Sequence, residues 1–145
     1  MPTYLQIQPS RPVPLIDAAK PYKAVLILDS VYKDNWQADL SRELARSGCL
    51  YMMAWGSGCS SWDDSVDMAN LEAYNFGDIP EDSFIMTTWH DDEKLEEVFE
   101  FANLSAHHPS IVLEDLIIIH VGETDQKEEH PVSYTHLTLP TIYSV

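Results

Sequence analysis

Residues 23–29 read KAVLILD, a continuous apolar run that ends in a carboxylate. A strand that is covered by helices on both faces has such a composition, whereas a strand with one wet face alternates apolar and polar residues. Three later runs are similar, namely CLYMMAW at 49–55, SFIMTTW at 83–89 and LEDLIIIHV at 113–121. The sequence therefore predicts a sheet of four strands, of which those at 23–29 and 49–55 are buried.

Amphipathic segments separate these four runs. Apolar residues at helical spacing predict a first helix over residues 35–47. A second helix is expected to be capped by Ser60 or Ser61, and a third by Asp91 or Asp92. This alternation predicts an α/β fold, a Rossmann-like three-layer sandwich with helices on both faces of a mostly parallel, four-stranded sheet. The pattern leaves the order of the strands open.

The chain divides into segments of different composition. Residues 1–20 are expected to be an extended, proline-rich arm, in which only YLQIQ at 4–8 alternates like an edge strand. Residues 21–122 are expected to form a single α/β domain, which is large enough to bury a core. Residues 123–131 form an acidic tail.

The last segment, residues 132–145, is expected to be non-native. Its first ten residues, VSYTHLTLPT, resemble the translation of a transposase sequencing adapter that recurs at the ends of genes predicted from short-read assemblies. On this interpretation the native sequence is lost beyond about residue 131. The alternative is a native edge strand, because valine, tyrosine, threonine, leucine and isoleucine all favour strands.

Charge is distributed unevenly along the chain. The formal net charge is −16, and residues 63–129 carry nineteen acidic side chains against two lysines, Lys94 and Lys127. A field of this sign repels nucleic-acid phosphates and anionic lipid headgroups, which excludes both as expected partners. A basic protein or a small molecule is the expected partner, and the oligomeric state is not indicated.

The sequence lacks both a membrane helix and a signal peptide, which indicates the cellular compartment. No apolar run reaches the length of a membrane helix, and the N-terminus lacks the basic and apolar segments of a signal peptide. The two cysteines, Cys49 and Cys59, do not form the framework of a disulfide-rich secreted domain. We therefore expect a cytoplasmic protein.

Two stretches carry a family resemblance. SGCLYMMAWGSGCSSWDDSVDMAN at 47–70 and FIMTTWHDDEKLEEVFEFA at 84–102 resemble an uncharacterised bacterial family of small domains of unknown function. The resemblance covers about residues 21–121 and implies no particular activity.

Candidate catalytic residues follow from the predicted sheet. Ligands of parallel sheets bind beyond the carboxyl ends of the strands, which here carry Asp29, Cys59, His90 and His120. Asp29 or His90 could be an acid–base group, and a helix N-terminus could lower the pKa of a nucleophilic Cys59. Ordinary roles are open too: Asp29 can cap a helix, His90 can lead into one, and His120 can be a hydrogen-bonded core histidine.

The same edge offers candidate binding residues. Three tryptophans could form a stacking wall or could instead cap the core, and carboxylates in the first turn of a helix are favoured by its dipole in any case. The acidic residues lack the pattern of a calcium-binding loop, so no metal site is predicted, and no cofactor is identified. The candidate binding residues are Trp55, Ser57, Trp62, Asp63, Asp64 and Trp89.

Two functions remain open at this point. Complete dinucleotide, P-loop, nucleophile-elbow and zinc-protease motifs are absent from the sequence, which favours an interaction module over an enzyme. Such a module, resembling an immunity or inhibitory protein, would use its acidic half to engage a basic partner. The alternative is a small hydrolase or transferase with its site at the C-terminal edge of the sheet.

Overall fold

A computed structural model describes residues 2–123. Its strands are β1 (Thr3–Ile7), β2 (Tyr22–Leu28), β3 (Cys49–Gly56), β4 (Met86–His90) and β5 (Asp115–Val121). They form one parallel sheet in the order β1-β5-β2-β3-β4. The helices are α1 (Asp34–Ser47), α2 (Trp62–Ala73) and α3 (Leu95–Leu104), with short 3-10 turns at Cys59–Ser61 and Glu81–Ser83.

The predicted α/β class is confirmed, but the sheet has five strands where four were expected. The additional strand is β1, which lies in the segment expected to be an extended arm and pairs with β5. Its alternating residues face opposite sides of the sheet, so Ile7 is buried in one core while Tyr4 packs against the other. This burial on both sides holds the N-terminal segment on the sheet.

Helices cover both faces of the sheet. Helices α1 and α2 bury Leu40, Leu44, Trp62 and Val66 in the core on one face. Helix α3 buries Val98 and its apolar neighbours on the opposite face. The connections through α1 and α2 build β3 and β4 on one side of β2, whereas the connection through α3 returns the chain to β5 on the other side. The winding therefore reverses between β2 and β5.

Two element boundaries differ from the sequence expectation. Helix α3 begins at Leu95 and not at Asp91 or Asp92, because Asp92 has a positive φ of 60° and Lys94 is the N-cap. The side chain of Glu97 accepts a hydrogen bond from the Lys94 backbone N–H at 3.2 Å, which is one half of a capping box. Strand β4 begins at Met86 and not at Ser83, because Ser83 belongs to a 3-10 turn that precedes the strand. Within residues 2–123, none of the helices is long and apolar enough to cross a bilayer.

A buried carboxylate ties the segment between β1 and β2 to α1. The Glu43 side chain is only 8% exposed, accepts a hydrogen bond from the Ile16 N–H at 2.6 Å and pairs with Arg46 at 2.7 Å. The Arg46 guanidinium, followed by the Ile16 N–H, lowers the pKa of Glu43 below its ordinary value of 4.5. A lowered folded-state pKa stabilises the fold above the unfolded-state value, and this stabilisation is lost as the pH falls through the folded-state value.

We therefore expect Glu43→Gln to lower the free energy of unfolding at pH 7 and to flatten its dependence on pH below about 4.5, because the ionised partner of Arg46 is removed. Urea unfolding across that pH range measures both quantities. Glu114→Gln is the control, since Glu114 is 73% exposed in its ion pair with Lys20 and should contribute little. Equal pH dependence in the Glu43→Gln variant and the parent would contradict the assignment.

Candidate functional site

The two candidate histidines belong to one row of side chains that crosses the sheet. Strand register places Gln6, His120, Ile27, Trp55 and His90 side by side across the sheet, one from each strand. Ile27 packs in the core beneath α3, so the row faces that helix. Neighbouring strands are about 4.8 Å apart, and three steps therefore separate the histidines by about 14 Å. His90 and His120 belong to two separate clusters.

The first group, the His120 cluster, consists of Tyr4, Gln6, Asp29 and His120. The His120 ring is completely buried, and its Nε2 lies 2.9 Å from Asp29 Oδ2. Its Nδ1 lies 3.1 Å from Gln6 Oε1 and 3.2 Å from the Tyr4 hydroxyl. Asp29 is the outermost member, with a side chain that is 29% exposed. Both ring nitrogens are thus engaged, as in a hydrogen-bonded core histidine.

Gly122 lies against the His120 cluster, and a side chain at this position would displace the Asp29 carboxylate. A Cβ atom at this position would lie 2.1 Å from Asp29 Oδ2 and 3.1 Å from His120 Nε2. The Gly122 carbonyl accepts a hydrogen bond from the Gln6 amide, and the Gly122 N–H donates to the Ile7 carbonyl at 3.0 Å. The end of β5 is therefore closed tightly around the Asp29–His120 pair.

The second group, the His90 cluster, is built at the end of β4. His90 is 6% exposed, with Nδ1 2.8 Å from Glu93 Oε2 and Nε2 2.9 Å from Thr88 Oγ1. The ring packs edge-on against Phe101 of α3, with centroids 4.9 Å apart. Trp55 donates its indole N–H to the Glu93 carbonyl at 2.7 Å, which holds the turn that carries the carboxylate. Both nitrogens of His90 are engaged as well.

Cys59 and Trp62 lie on the other face of the sheet, in the core beneath α1 and α2. Cys59 is 4% exposed and Trp62 is 1% exposed. Burial raises the pKa of the Cys59 thiol, and the charge of Asp91 raises it further. This direction is opposite to the lowering expected from a helix N-terminus. The Trp62 ring fills the core and presents no open wall to a ligand.

The remaining candidates are on the surface. Ser57 follows β3, where its hydroxyl donates to the Asp29 carbonyl at 3.4 Å. Asp63 and Asp64 occupy the first turn of α2. Trp89 is 46% exposed on β4, which is an edge strand. These residues share the C-terminal edge of the sheet. Of them, Ser57 is the one that is hydrogen-bonded to Asp29.

Sequence reasoning missed the partners of both histidines. Tyr4 and Gln6 were assigned to an arm, although their alternation in YLQIQ was the available signal that they share one face of a strand. Glu93 follows His90 by three residues, and its contact depends on a turn in which Asp92 has a positive φ. The turn conformation could not be read from the sequence.

A family model described as "Domain of unknown function (DUF7684)" matches residues 2–135. The chain belongs to this family. The predicted resemblance to an uncharacterised family of small domains is thereby confirmed. No curated protein and no solved structure matches the chain. Residues 124–145, which include most of the acidic tail and the expected adapter sequence, lie outside the described residues, so those expectations stay predictions.

The chemistry available to this DUF7684 domain follows from how its candidate groups are bonded. Each histidine at the C-terminal edge uses both ring nitrogens inside the protein, so neither offers a free nitrogen to a substrate. Among residues 2–123, no group of three or more histidine, cysteine or carboxylate side chains is placed to hold a metal ion. The exposed candidate residues are Asp29, Ser57, Asp64 and Trp89, whose side chains are suited to binding.

We expect Cys59 to react with iodoacetamide at least about tenfold more slowly than a free thiol at pH 8, because it is buried and its pKa is raised. The measurement is the alkylation rate of the folded Cys49→Ala variant, in which Cys59 is the only cysteine. The control is the Cys59→Ala variant, which keeps Cys49 alone. Burial raises the pKa of Cys49 to about 12. A rate for Cys59 equal to or above that of free cysteine would restore the nucleophile hypothesis.

Proposed function

We propose that this DUF7684 domain is a cytoplasmic interaction module whose acidic edge binds a basic, extended segment of a partner protein. The acidic edge is defined as strand β4 together with Asp63, Asp64, Asp67 and Asp91. The observation that carries the proposal is the position of these carboxylates beside an edge strand of the sheet. The two free, buried thiols fit a reducing compartment.

Strand β4 is open to pairing. It is the last strand of the sheet, and among residues 2–123 it pairs with β3 alone. An edge strand leaves a row of backbone N–H and C=O groups available to another chain. Trp89 on this strand is 46% exposed, and Phe84 just before it is 43% exposed. An added strand would therefore gain main-chain hydrogen bonds and apolar contact together.

The carboxylates of the acidic edge are not neutralised. Asp67 on α2 accepts a hydrogen bond from Thr87 of β4 at 3.2 Å, which places the acidic turns of α2 against this strand. Burial raises the pKa of Asp67, and the charges of Asp63 and Asp64 raise it further. Among residues 2–123, none of these three carboxylates, nor Asp91, forms a salt bridge. A lysine or arginine from a partner would relieve this repulsion.

These features together select the chemistry of the partner. A segment in β conformation with lysine or arginine at alternate positions would direct its charges toward α2 while its backbone pairs with β4. The charges would mainly accelerate association and select the partner, and the backbone bonds would supply affinity. Nucleic acids and anionic membranes are repelled by the same charges, so neither is proposed as a partner.

The test uses a short peptide of alternating lysine and valine. We expect the triple variant Asp63→Asn, Asp64→Asn, Asp67→Asn to associate with it about tenfold more slowly at low salt, because steering charge is removed. Surface plasmon resonance across a range of salt concentrations measures the rate. The charge-matched control is Asp17→Asn, Asp34→Asn, Asp78→Asn, which removes three carboxylates outside the acidic edge.

Urea unfolding of both triple variants accounts for any loss of stability, because the dipole of α2 favours the carboxylates of Asp63 and Asp64 in its first turn. The raised pKa of Asp67 means that its charged form opposes folding at neutral pH, so Asp67→Asn should not destabilise the domain. A peptide of alternating glutamate and valine should not bind, and prolines in the basic peptide should weaken it by removing backbone donors. Equal association rates for the edge variant and the control variant would refute the proposal.

A further inference from the structure

A cavity of about 580 Å³ lies beyond the carboxyl ends of β1, β2 and β5. Residues 9–12 after β1, residues 31–36 around the start of α1, and Glu123 after β5 form its walls. It lies at the point where the winding of the sheet reverses, between β2 and β5. Ligands of open parallel sheets bind in such a crevice, and the volume suits a small organic molecule. The acidic edge lies at the opposite lateral edge of the sheet, at β4.

Two cations in this cavity are without a carboxylate partner among residues 2–123, although the chain carries a net charge of −16. Arg11 and Lys33 both line the cavity, and within residues 2–123 neither forms an ion pair. The other described cations are used elsewhere, except for Lys94: carboxylates pair with Lys20, Arg42 and Arg46, and a backbone carbonyl accepts from Lys23.

The two acidic residues that line the cavity are already engaged. The Glu123 carboxylate accepts hydrogen bonds from the Ser10 N–H at 3.0 Å and the Ser10 hydroxyl at 2.9 Å. Asp39 pairs with Arg42 at 3.1 Å. Neither carboxylate pairs with Arg11 or Lys33, so both cations are available to an anion from solution. An arginine can hold a phosphate or carboxylate through two parallel hydrogen bonds.

Two aromatic rings stand beside these cations. Tyr32 and Trp36 pack with centroids 5.5 Å apart and planes tilted by 48°. The Trp36 indole N–H donates to the Arg11 carbonyl at 2.9 Å, and the Tyr32 hydroxyl donates to the Val121 carbonyl. These bonds fix both rings and tie the Arg11 backbone to α1. Both rings are partly buried against the core and also line the cavity, where their remaining surface can make apolar contact with a flat group.

We propose that this cavity binds a small organic anion, with a phosphate or carboxylate held by Arg11 and Lys33 and a planar ring against Trp36. The site is independent of the acidic edge, because it uses the opposite end of the sheet and the opposite charge. It also accounts for the exposed, unpaired cations in a protein that is otherwise strongly acidic.

The experiment is a titration of the full chain with phenyl phosphate, monitored by ¹⁵N–¹H NMR. We expect saturable shifts of the Trp36 indole signal and of the backbone amides that line the cavity, namely those of Ser10, Arg11, Val31, Tyr32, Lys33, Asn35 and Trp36. The double variant Arg11→Gln, Lys33→Gln should bind at least about tenfold more weakly, because charge-assisted hydrogen bonds are lost. Lys94→Gln, which removes an exposed cation outside the cavity, should leave the Kd unchanged.

Companion ligands separate the parts of the proposal. Benzoate binding more tightly than phenyl phosphate would identify the anion as a carboxylate, whereas weaker binding would identify it as a phosphate. Benzyl alcohol should not bind. Inorganic phosphate binding as tightly as phenyl phosphate would overturn the role of the ring. No saturable shift with any anion, or the same Kd in the double variant and in Lys94→Gln, would overturn the site.

Discussion

Trp62→Ala is expected to lower the free energy of unfolding by about 3–5 kcal/mol, because the substitution removes a large, fully buried ring and leaves a cavity. Trp62 is 1% exposed and opens α2 over the core shared with α1. The surrounding helices meet the strands on a tightly packed face, so little collapse into the space is expected. The effect is large relative to the total stability of a domain of this size.

Urea unfolding of Trp62→Ala and of Trp89→Ala provides the comparison. Trp89 is 46% exposed, and its substitution should cost less than about 1 kcal/mol. If Trp62→Ala does not fold, Trp62→Phe provides a milder loss on the same scale. A smaller loss at Trp62 than at Trp89 would show that the core assignment is wrong and would return Trp62 to the candidate binding residues.

The contrast between these tryptophans shows what local sequence patterns predict well. Helical spacing predicts an apolar stripe of Trp62, Val66, Ala69 and Ala73 on α2, and the structure buries the first three of these residues but leaves Ala73 exposed. The continuous runs at β2 and β3 predict buried strands, which the structure contains. These predictions succeed because the burial of a helix face or a strand depends on nearby residues.

The candidate site was harder to predict because it depends on long-range pairing. The carboxyl ends of the strands were expected to collect Asp29, His90 and His120 at one edge, and they do. The register then places Ile27 of β2 and Trp55 of β3 between the two histidines. Strand order decides this separation, and it cannot be read from the alternation of strands and helices.

The partners of His120 illustrate the same limit. Gln6 lies 114 residues before His120 in the sequence and meets it only because β1 pairs with β5. A proline-rich N-terminal segment favours an extended arm, and the local pattern carries no information on which strand it joins. The burial of Ile7 at 1% exposure, a tertiary effect, decides that the segment is a strand.

His120→Leu is expected to lower the free energy of unfolding by about 2–4 kcal/mol, because each buried polar group left without a partner costs about 1–3 kcal/mol. The substitution keeps apolar volume in the row but removes the hydrogen bonds to Asp29 and Gln6. This large effect follows from the complete burial of the ring.

A double-mutant cycle with Gln6→Leu separates the network from simple packing. Removing both partners leaves fewer unsatisfied groups than either single change, so the double variant should lose less than the sum of the two single losses. Gln8→Leu is the control, because Gln8 donates to the Glu123 carbonyl at the surface and should be additive with His120→Leu. Additive losses for Gln6 and His120, or a loss below about 1 kcal/mol for His120→Leu, would contradict a structural role for the cluster. Either result would make Asp29 and His120 candidates for chemistry again, since a buried histidine that does not support the fold needs another reason to face a carboxylate.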